Sequence, residues 1–357
     1  MMDKPLIPIY GLDSVGIVVR DLWARMESFS RFFGISRWAV FHITPERVED
    51  PQYHGRAVQP DYIVATGTVE GPFETAESFV IDLICPKNES SIFADFLAQK
   101  GEGMIYLSPN VISKADFEVE KKAFENTGIS IAESFQFSKT FSMHFLDTAP
   151  TLGAMVRLVV SDYQDWIHSA VPDEVVTFSF RKKYHPMPIR KLYHTGIVVP
   201  DRQKAKEGYE KIFGMQDWVQ FDWKTGDFIM DTTVYGRKVE HAYAMCIGRL
   251  ASFSVELIEP KEGESVYQEM MDSKGGGMHH LFTTICRPED FSAMRSFFEE
   301  RHITIAQSGR IADAAEYFYL DTRQALGGVF LEVMCPLRDD WLSRLFPAEK
   351  LNILVGA

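Results

Sequence analysis

LYHTGIVVPDRQKAKEGYEKIFGMQ (192–216) reads as a short apolar strand followed by an amphipathic helix. HTGIVV is the strand. Asp201 stands where a helix N-cap is expected, Tyr209, Ile212 and Phe213 share one helical face, and Gly214 stands where the helix should end. The pattern occurs once before, 180 residues earlier, as LDSVGIVVRDLWARMESFSRFFGIS (12–36). Working outward from this pair, four further blocks recur in the same order at an offset of 174. SFVIDLICP (from Ser78) matches SFSVELIEP (from Ser252), and KGEGMIYL (from Lys100) matches KGGGMHHL (from Lys274). DFEVEKKAFENTGISIA (from Asp116) matches DFSAMRSFFEERHITIA, and FLDTAPTLGAMVRLVV (from Phe145) matches YLDTRQALGGVFLEVM. The chain is a tandem duplication. The first copy carries the extra residues, placed by this reading in the loop around GPFETAE (71–77).

Each copy reads as strand, helix, then several strands, twice over. In the second copy VEHAYAMCIG (239–248) and FSVELIEP (253–260) have strand patterns, and a helix around SVYQEMMDSK (265–274) leads into GGGMHHLFTTI. Asp290 is expected to open another helix through Phe297 and Phe298, with ITIAQSGRI, EYFYLD and GGVFLEVM as three more strands. The expected organisation is a first domain over residues 1–164, a linker over 165–190 and a second domain over 191–357.

The 357 residues are 46% hydrophobic and 24% charged, enough apolar material for two cores. A net charge of −13, without any Lys/Arg-rich run, argues against a nucleic-acid partner. No apolar run approaches the roughly 20 residues of a membrane helix, and the N-terminus lacks a signal-peptide pattern. A cytoplasmic protein with no membrane partner is therefore expected. Cys85, Cys246, Cys286 and Cys335 stand singly in apolar segments without CxxC spacing, as buried reduced thiols do.

Four potential metal ligands stand on four separate strands of the second copy: His194, Glu256, His280 and Glu332. A lone histidine in an apolar strand is more often a hydrogen-bonded core residue. Glu256 and Glu332, flanked by Val and Leu, are harder to explain that way, because an unpaired buried carboxylate costs several kcal/mol. One divalent ion would partner both. Two imidazoles and two carboxylates suit Zn, Fe, Mn, Co or Ni, and an ion preferring five or six ligands keeps positions open for water or substrate. His279 and His280 are adjacent on a strand, so only one can face such a site. The repeat is an internal control. Its first copy carries Ser14, Asp82, Tyr106 and, at the same offset, Leu158, so the fold does not require the four ligands.

Taken with HTGIVVPD, VEHAYAM, VELIEP, GGGMHHL and GGVFLEV, these residues resemble the vicinal oxygen chelate superfamily of glyoxalase I, methylmalonyl-CoA epimerase and extradiol dioxygenases. The likeness covers residues 190–337 well and 10–160 in outline, and its closest local match is to the epimerase. It implies an α+β fold of tandem βαβββ modules, four modules forming two glyoxalase-like domains with curved mixed β-sheets. It also implies that His194, Glu256, His280 and Glu332 hold one divalent metal ion, the second histidine of the HH pair being the ligand. The implied activity is metal-assisted proton abstraction next to a carbonyl, by an isomerase, epimerase or lyase acting on a small-molecule substrate. Two bases are implied: Glu332, as proposed for glyoxalase-like members, and Glu240, at a position assigned as a base in the epimerase family. Glu240 reads equally well as a solvated strand-end residue beside His241. An Fe(II) extradiol-type dioxygenase using His194, His280 and Glu332 is the alternative, and Glu256 weighs against it. A ligand-sequestering binding protein is a third reading. The first half is expected to pair with the second within the chain, in place of a dimer partner, although a homodimer is also compatible. The other role open to it is pocket wall, through Trp23, Phe29, Phe32, Phe33 and the GPFETAE loop. No Arg/Lys cluster near the ligands signals a CoA group, and the aromatic content leans towards an apolar or aromatic substrate.

Overall fold

A computed structural model describes residues 5–7, 11–70, 77–109, 111–163, 169–179, 187–347 and 350. Six residues of the GPFETAE loop, and 165–168 and 180–186 of the expected linker, lie outside these. The chain divides into two compact units, one of residues 1–70, 79–185 and 208–214 and the other of 71–78, 186–207 and 215–357. Each is built on one mixed sheet, and the fold is α+β with two glyoxalase-like domains.

In the C-terminal unit the strands run in the order Asp217–Lys224, His241–Leu250, Phe253–Gly263, His194–Val198, Gly277–Ile285, Phe330–Pro336, Ala315–Leu320, Ile305–Ile311, Ile229–Val234, Arg237–Lys238. The central pair, His194–Val198 and Gly277–Ile285, is antiparallel, and each member has a parallel neighbour on its other side. Connectivity forces this sheet to curl. Lys224 and Ile229 lie on strands eight places apart, about 38 Å in a flat sheet at ~4.8 Å per strand. The intervening residues 225–228 span roughly 17 Å at most. The concave face therefore encloses a cavity. The N-terminal unit repeats the order with an additional edge strand, Glu174–Thr177, beside Arg37–Ile43.

Local signals produce these elements. Asp201 Oδ1 accepts from the Lys204 backbone N–H at 2.9 Å at the start of the helix Arg202–Phe213, and Gly214 ends it with φ 70°. The helix expected from Asp290 begins earlier, as Pro288–Ala293, because proline fits the first helical turn, and a second short helix, Arg295–Glu299, follows. The four cysteines are buried and unbridged. Phe29, Phe32 and Phe33 are core residues of the helix Leu22–Phe33, whereas Trp23 is exposed. No helix among the described residues is long and apolar enough to cross a membrane.

The repeat also exposes an equivalence between Glu133 and Gln307. In the C-terminal unit Gln307 Oε1 accepts from the Val266 backbone N–H at 3.0 Å, at the head of the helix Val266–Lys274. In the N-terminal unit Glu133 Oε2 accepts from Ile92 N–H at 2.9 Å, at the head of Ile92–Lys100, and Glu133 Oε1 accepts from Tyr62 OH at 2.8 Å. Burial raises the Glu133 carboxyl to about 7, against its two hydrogen bonds. The folded state therefore binds this proton more tightly than the unfolded chain. Its contribution to stability is present below about 4.5, declines as pH rises, and is lost above about 7. Glu133→Gln removes that dependence, on the order of 3 kcal/mol. Urea midpoints at pH 5 and pH 8 should differ less in this variant than in the parent, and an unchanged difference would contradict the assignment.

Candidate metal centre

Register builds the site. Gly196 pairs with Glu256 on one side and with His280 on the other, so these three residues form one row across the sheet. His194, Phe282 and Glu332 form the next row of the same face. The middle of the first row must be glycine, because a β-carbon on Gly196 would fall inside the His280 imidazole. His279 is not among the four: it falls at a break in the strand register, its Nδ1 lies 3.0 Å from His280 Nδ1, and its ring stacks on Phe330, with ring centroids 4.7 Å apart.

The four side chains converge. Their ligating atoms all lie within 4.8 Å of one another, and none of the four residues is more than 6% exposed. Glu332 Oε2 is 3.2 Å from both imidazole Nε2 atoms. Glu256 Oε2 is 3.2 Å from that of His280 and 3.5 Å from that of His194. Glu256 Oε2 nonetheless lacks any hydrogen bond of acceptable geometry. Burial opposes charge on all four groups, and their mutual attraction overrides it. The two carboxylates raise His194 to about 9 and also raise His280, while the imidazoles hold Glu256 and Glu332 below the usual carboxylate range. Two buried anions facing a shared point require about two positive charges. The donors are spaced as ligands lying roughly 2.0–2.2 Å from one ion would be. The residues present fit a divalent ion.

Glu240 does not join them. On the strand His241–Leu250 the odd-numbered Tyr243, Met245 and Ile247 face the cavity, whereas Glu240 precedes the strand and is exposed. Alternation places it off the concave face, which corrects the expectation of a second base. The cavity, about 50 Å³, is lined by His194, Glu256 and Glu332 with aromatic residues that sequence reading had not assigned to the site, among them Phe221, Trp223, Tyr243 and Tyr267. Tyr267 OH donates to Tyr319 OH at 2.8 Å, and the Tyr319 ring lies 5.0 Å from that of His280. In the sequence Tyr319 stands in EYFYLD, a strand candidate that partly resembles the Tyr-containing signature strand of ring-cleaving members.

The N-terminal unit shows what the same framework does without the ligands. Gly16 pairs with Asp82 and Tyr106, and the Tyr106 ring occupies the space of the missing β-carbon. The position equivalent to Glu332 is Arg157, not Leu158. Arg157 pairs with Phe145 as Glu332 pairs with Tyr319, and Met155 pairs with Tyr106 as Phe330 pairs with His280. The slip of one residue lies in the preceding turn. There Thr148 Oγ1 donates to the Ala154 carbonyl, whereas Thr322 Oγ1 donates to that of Val329, and the single positive-φ Gly153 becomes the pair Gly327–Gly328. Arg157 donates from Nη1 to Asp82 at 2.8 Å and to Tyr106 OH at 3.0 Å, from Nη2 to Ser14 at 2.8 Å and to Asp13 at 3.2 Å, and from Nε to Ser108 at 3.1 Å. Burial disfavours its charge, but Tyr106, Asp82 and Asp13 raise its pKa. A guanidinium thus neutralises the buried carboxylate of this unit. Among the described residues no Arg or Lys does so for Glu256 or Glu332.

Residues 193–319, which include His194, Glu256 and His280, match the sequence model described as the Glyoxalase/Bleomycin resistance protein/Dioxygenase superfamily. The match to this superfamily lies in the C-terminal part of the chain and takes in three of the four clustered residues. Members of the superfamily include metal-dependent enzymes, and the cage is a cluster of the kind that could hold their ion. Among curated proteins the chain is similar to the uncharacterized protein YqjC of Bacillus subtilis, 25% identical over 154 residues, covering 42% of this chain and 96% of that protein. Among solved structures it is similar to a triple mutant of 4-hydroxymandelate synthase from Streptomyces coelicolor. That likeness has a TM-score of 0.53 at 13% identity over 92% of this chain and 93% of the other, and it shows the shared fold.

Gly196 offers a direct check on this glyoxalase-like cage. Gly196→Ala is expected to displace the His280 ring and to weaken divalent-ion binding at least about tenfold, with far-ultraviolet circular dichroism unchanged. Calorimetric titration with Mn(II) reads it, and unaltered affinity would show that His280 is not held as described.

Proposed function

We propose that the C-terminal unit is a divalent-metal-dependent isomerase, epimerase or lyase that abstracts a proton next to the carbonyl of a small, largely apolar substrate. The observation that carries this reading is the pair of buried carboxylates, Glu256 and Glu332, set against two imidazoles without a guanidinium or ammonium partner among the described residues. When bound, a divalent ion supplies Lewis-acid polarisation of the substrate carbonyl. Glu332, on the cavity wall, receives the proton from the adjacent carbon and returns it. Phe221, Trp223, Met245 and Met334 hold the apolar body and keep water from the reacting carbon. The Trp223 indole N–H, buried without a hydrogen-bond partner, is a donor for a substrate oxygen. Glu256 as a fourth ligand favours proton transfer, because it fills a position that oxygen chemistry leaves open.

The test is solvent deuterium exchange into a panel of small α-substituted carbonyl compounds, followed by NMR. Exchange that requires metal and is lost in Glu332→Gln supports the reading. Fe(II)-dependent oxygen uptake with catechols, without exchange, would replace it by an extradiol-type dioxygenase. One observation favours that second reading: Glu332 Oε2 is 3.2 Å from both imidazoles, so His194, His280 and Glu332 form a compact triad with Glu256 set farther from His194.

A further inference from the structure

A cavity larger than the one beside the His/Glu cage lies in the unit that has lost the ligands. It measures about 290 Å³, against about 50 Å³ beside the His/Glu cage. Close-packed interiors rarely leave voids larger than a water molecule, and an engineered apolar cavity of about 150 Å³ takes up benzene. This one therefore has room for a ring with a substituent or for two fused rings. Its wall is built for planar groups, with Phe41, Phe93, Phe135, Phe137, Phe141 and Phe145 all lining it. Phe137 stands edge-on to Phe41 at 5.7 Å and stacks on Phe141 at 5.2 Å, so both ring faces and ring edges are presented.

The polar groups of the cavity fall into two sets. In the first set Arg157, Asp82, Tyr106 and the partly exposed Asp13 satisfy one another, with Thr66 donating to Asp82 and Tyr62 to Glu133, and the five N–H groups of Arg157 are all taken. That set offers a ligand no free cationic donor. Arg37 differs. It lies on the strand whose alternate residues Arg37, Ala39, Phe41 and Ile43 all line the cavity, so it is the charged end of an otherwise apolar row. It is exposed, and among the described residues it has no acidic partner. An unpaired guanidinium at the end of an aromatic-walled cavity complements a planar molecule that ends in a carboxylate.

We propose that the N-terminal unit is a binding site for small aromatic carboxylates, with the ring system among the phenylalanines and the carboxylate on Arg37. It acts without a metal and is distinct from the His/Glu cage, so it stands or falls separately from the activity proposed above. The full-length protein is titrated by calorimetry with 2-naphthoate and, as the uncharged counterpart, 2-naphthamide. One equivalent of naphthoate should bind, in the presence of a chelator as well as in its absence. Arg37→Gln, a surface change, should weaken naphthoate about tenfold and leave naphthamide unchanged. Ala39→Trp, which fills the cavity, should abolish binding of both, while His280→Ala should affect neither. No binding of naphthoate, or equal effects of Arg37→Gln on the two compounds, would overturn the proposal. So would binding that survives Ala39→Trp but is lost in His280→Ala, because the C-terminal cavity would then be the site.

Discussion

Glu256→Ala is expected to lower the affinity of the C-terminal unit for a divalent ion roughly a hundredfold or more, without unfolding it. Its Oε2 is 3.2 Å from His280 Nε2 and 3.5 Å from His194 Nε2, is buried, and has no hydrogen bond that would justify its position. In the metal-free protein its removal takes a carboxylate from two buried imidazoles that it stabilises, so some stability is lost there as well. With metal the loss is larger: a donor is gone, and a single carboxylate is left to balance the ion. Melting temperatures with and without Mn(II) read both halves of the prediction. The parent should gain markedly from the ion and the variant little. An undiminished gain in Glu256→Ala would reduce the site to a three-ligand triad and favour oxygen chemistry.

The second large effect is in the other unit. Arg157→Met should destabilise the protein by about 3–5 kcal/mol, because it leaves Asp82 as a buried, uncompensated carboxylate. Adding Asp82→Asn should recover much of that loss, since Ser14, Thr66 and Tyr106 now donate to Asp82 and the amide oxygen can accept from some of them. Chemical denaturation of the two single variants and the double variant measures the coupling. A cost below about 1 kcal/mol for Arg157→Met would show that the guanidinium is not the charge partner of the site.

Much of this was readable in the residues. The duplication set the two-unit plan, and the family resemblance chose His280 rather than His279, the one whose ring nitrogen joins the cluster. The burial of Glu256 and Glu332 followed from their Val and Leu neighbours. What could not be read depends on register. A single additional glycine, Gly328, shifts the last strand by one place, so a fixed offset set Leu158 against Glu332 when the structural equivalent is Arg157. That slip concealed the most informative contrast in the molecule, a guanidinium where the other unit has a carboxylate. Glu240 failed for a related reason. Its local sequence resembles a family motif, but only the pairing of the strand decides which residues turn inward. The aromatic wall of the N-terminal cavity was present in the composition, yet phenylalanines that line a cavity and those that fill a core have the same sequence pattern.

One measurement bears most directly on the His/Glu cage as a metal centre. Full-length protein is purified without chelator and its metal content determined by elemental analysis, alongside His280→Ala prepared in parallel. One divalent ion per chain in the parent and none in the variant is the expected result. A parent that neither retains nor takes up an ion, or a His280→Ala protein that retains it in full, would contradict the assignment.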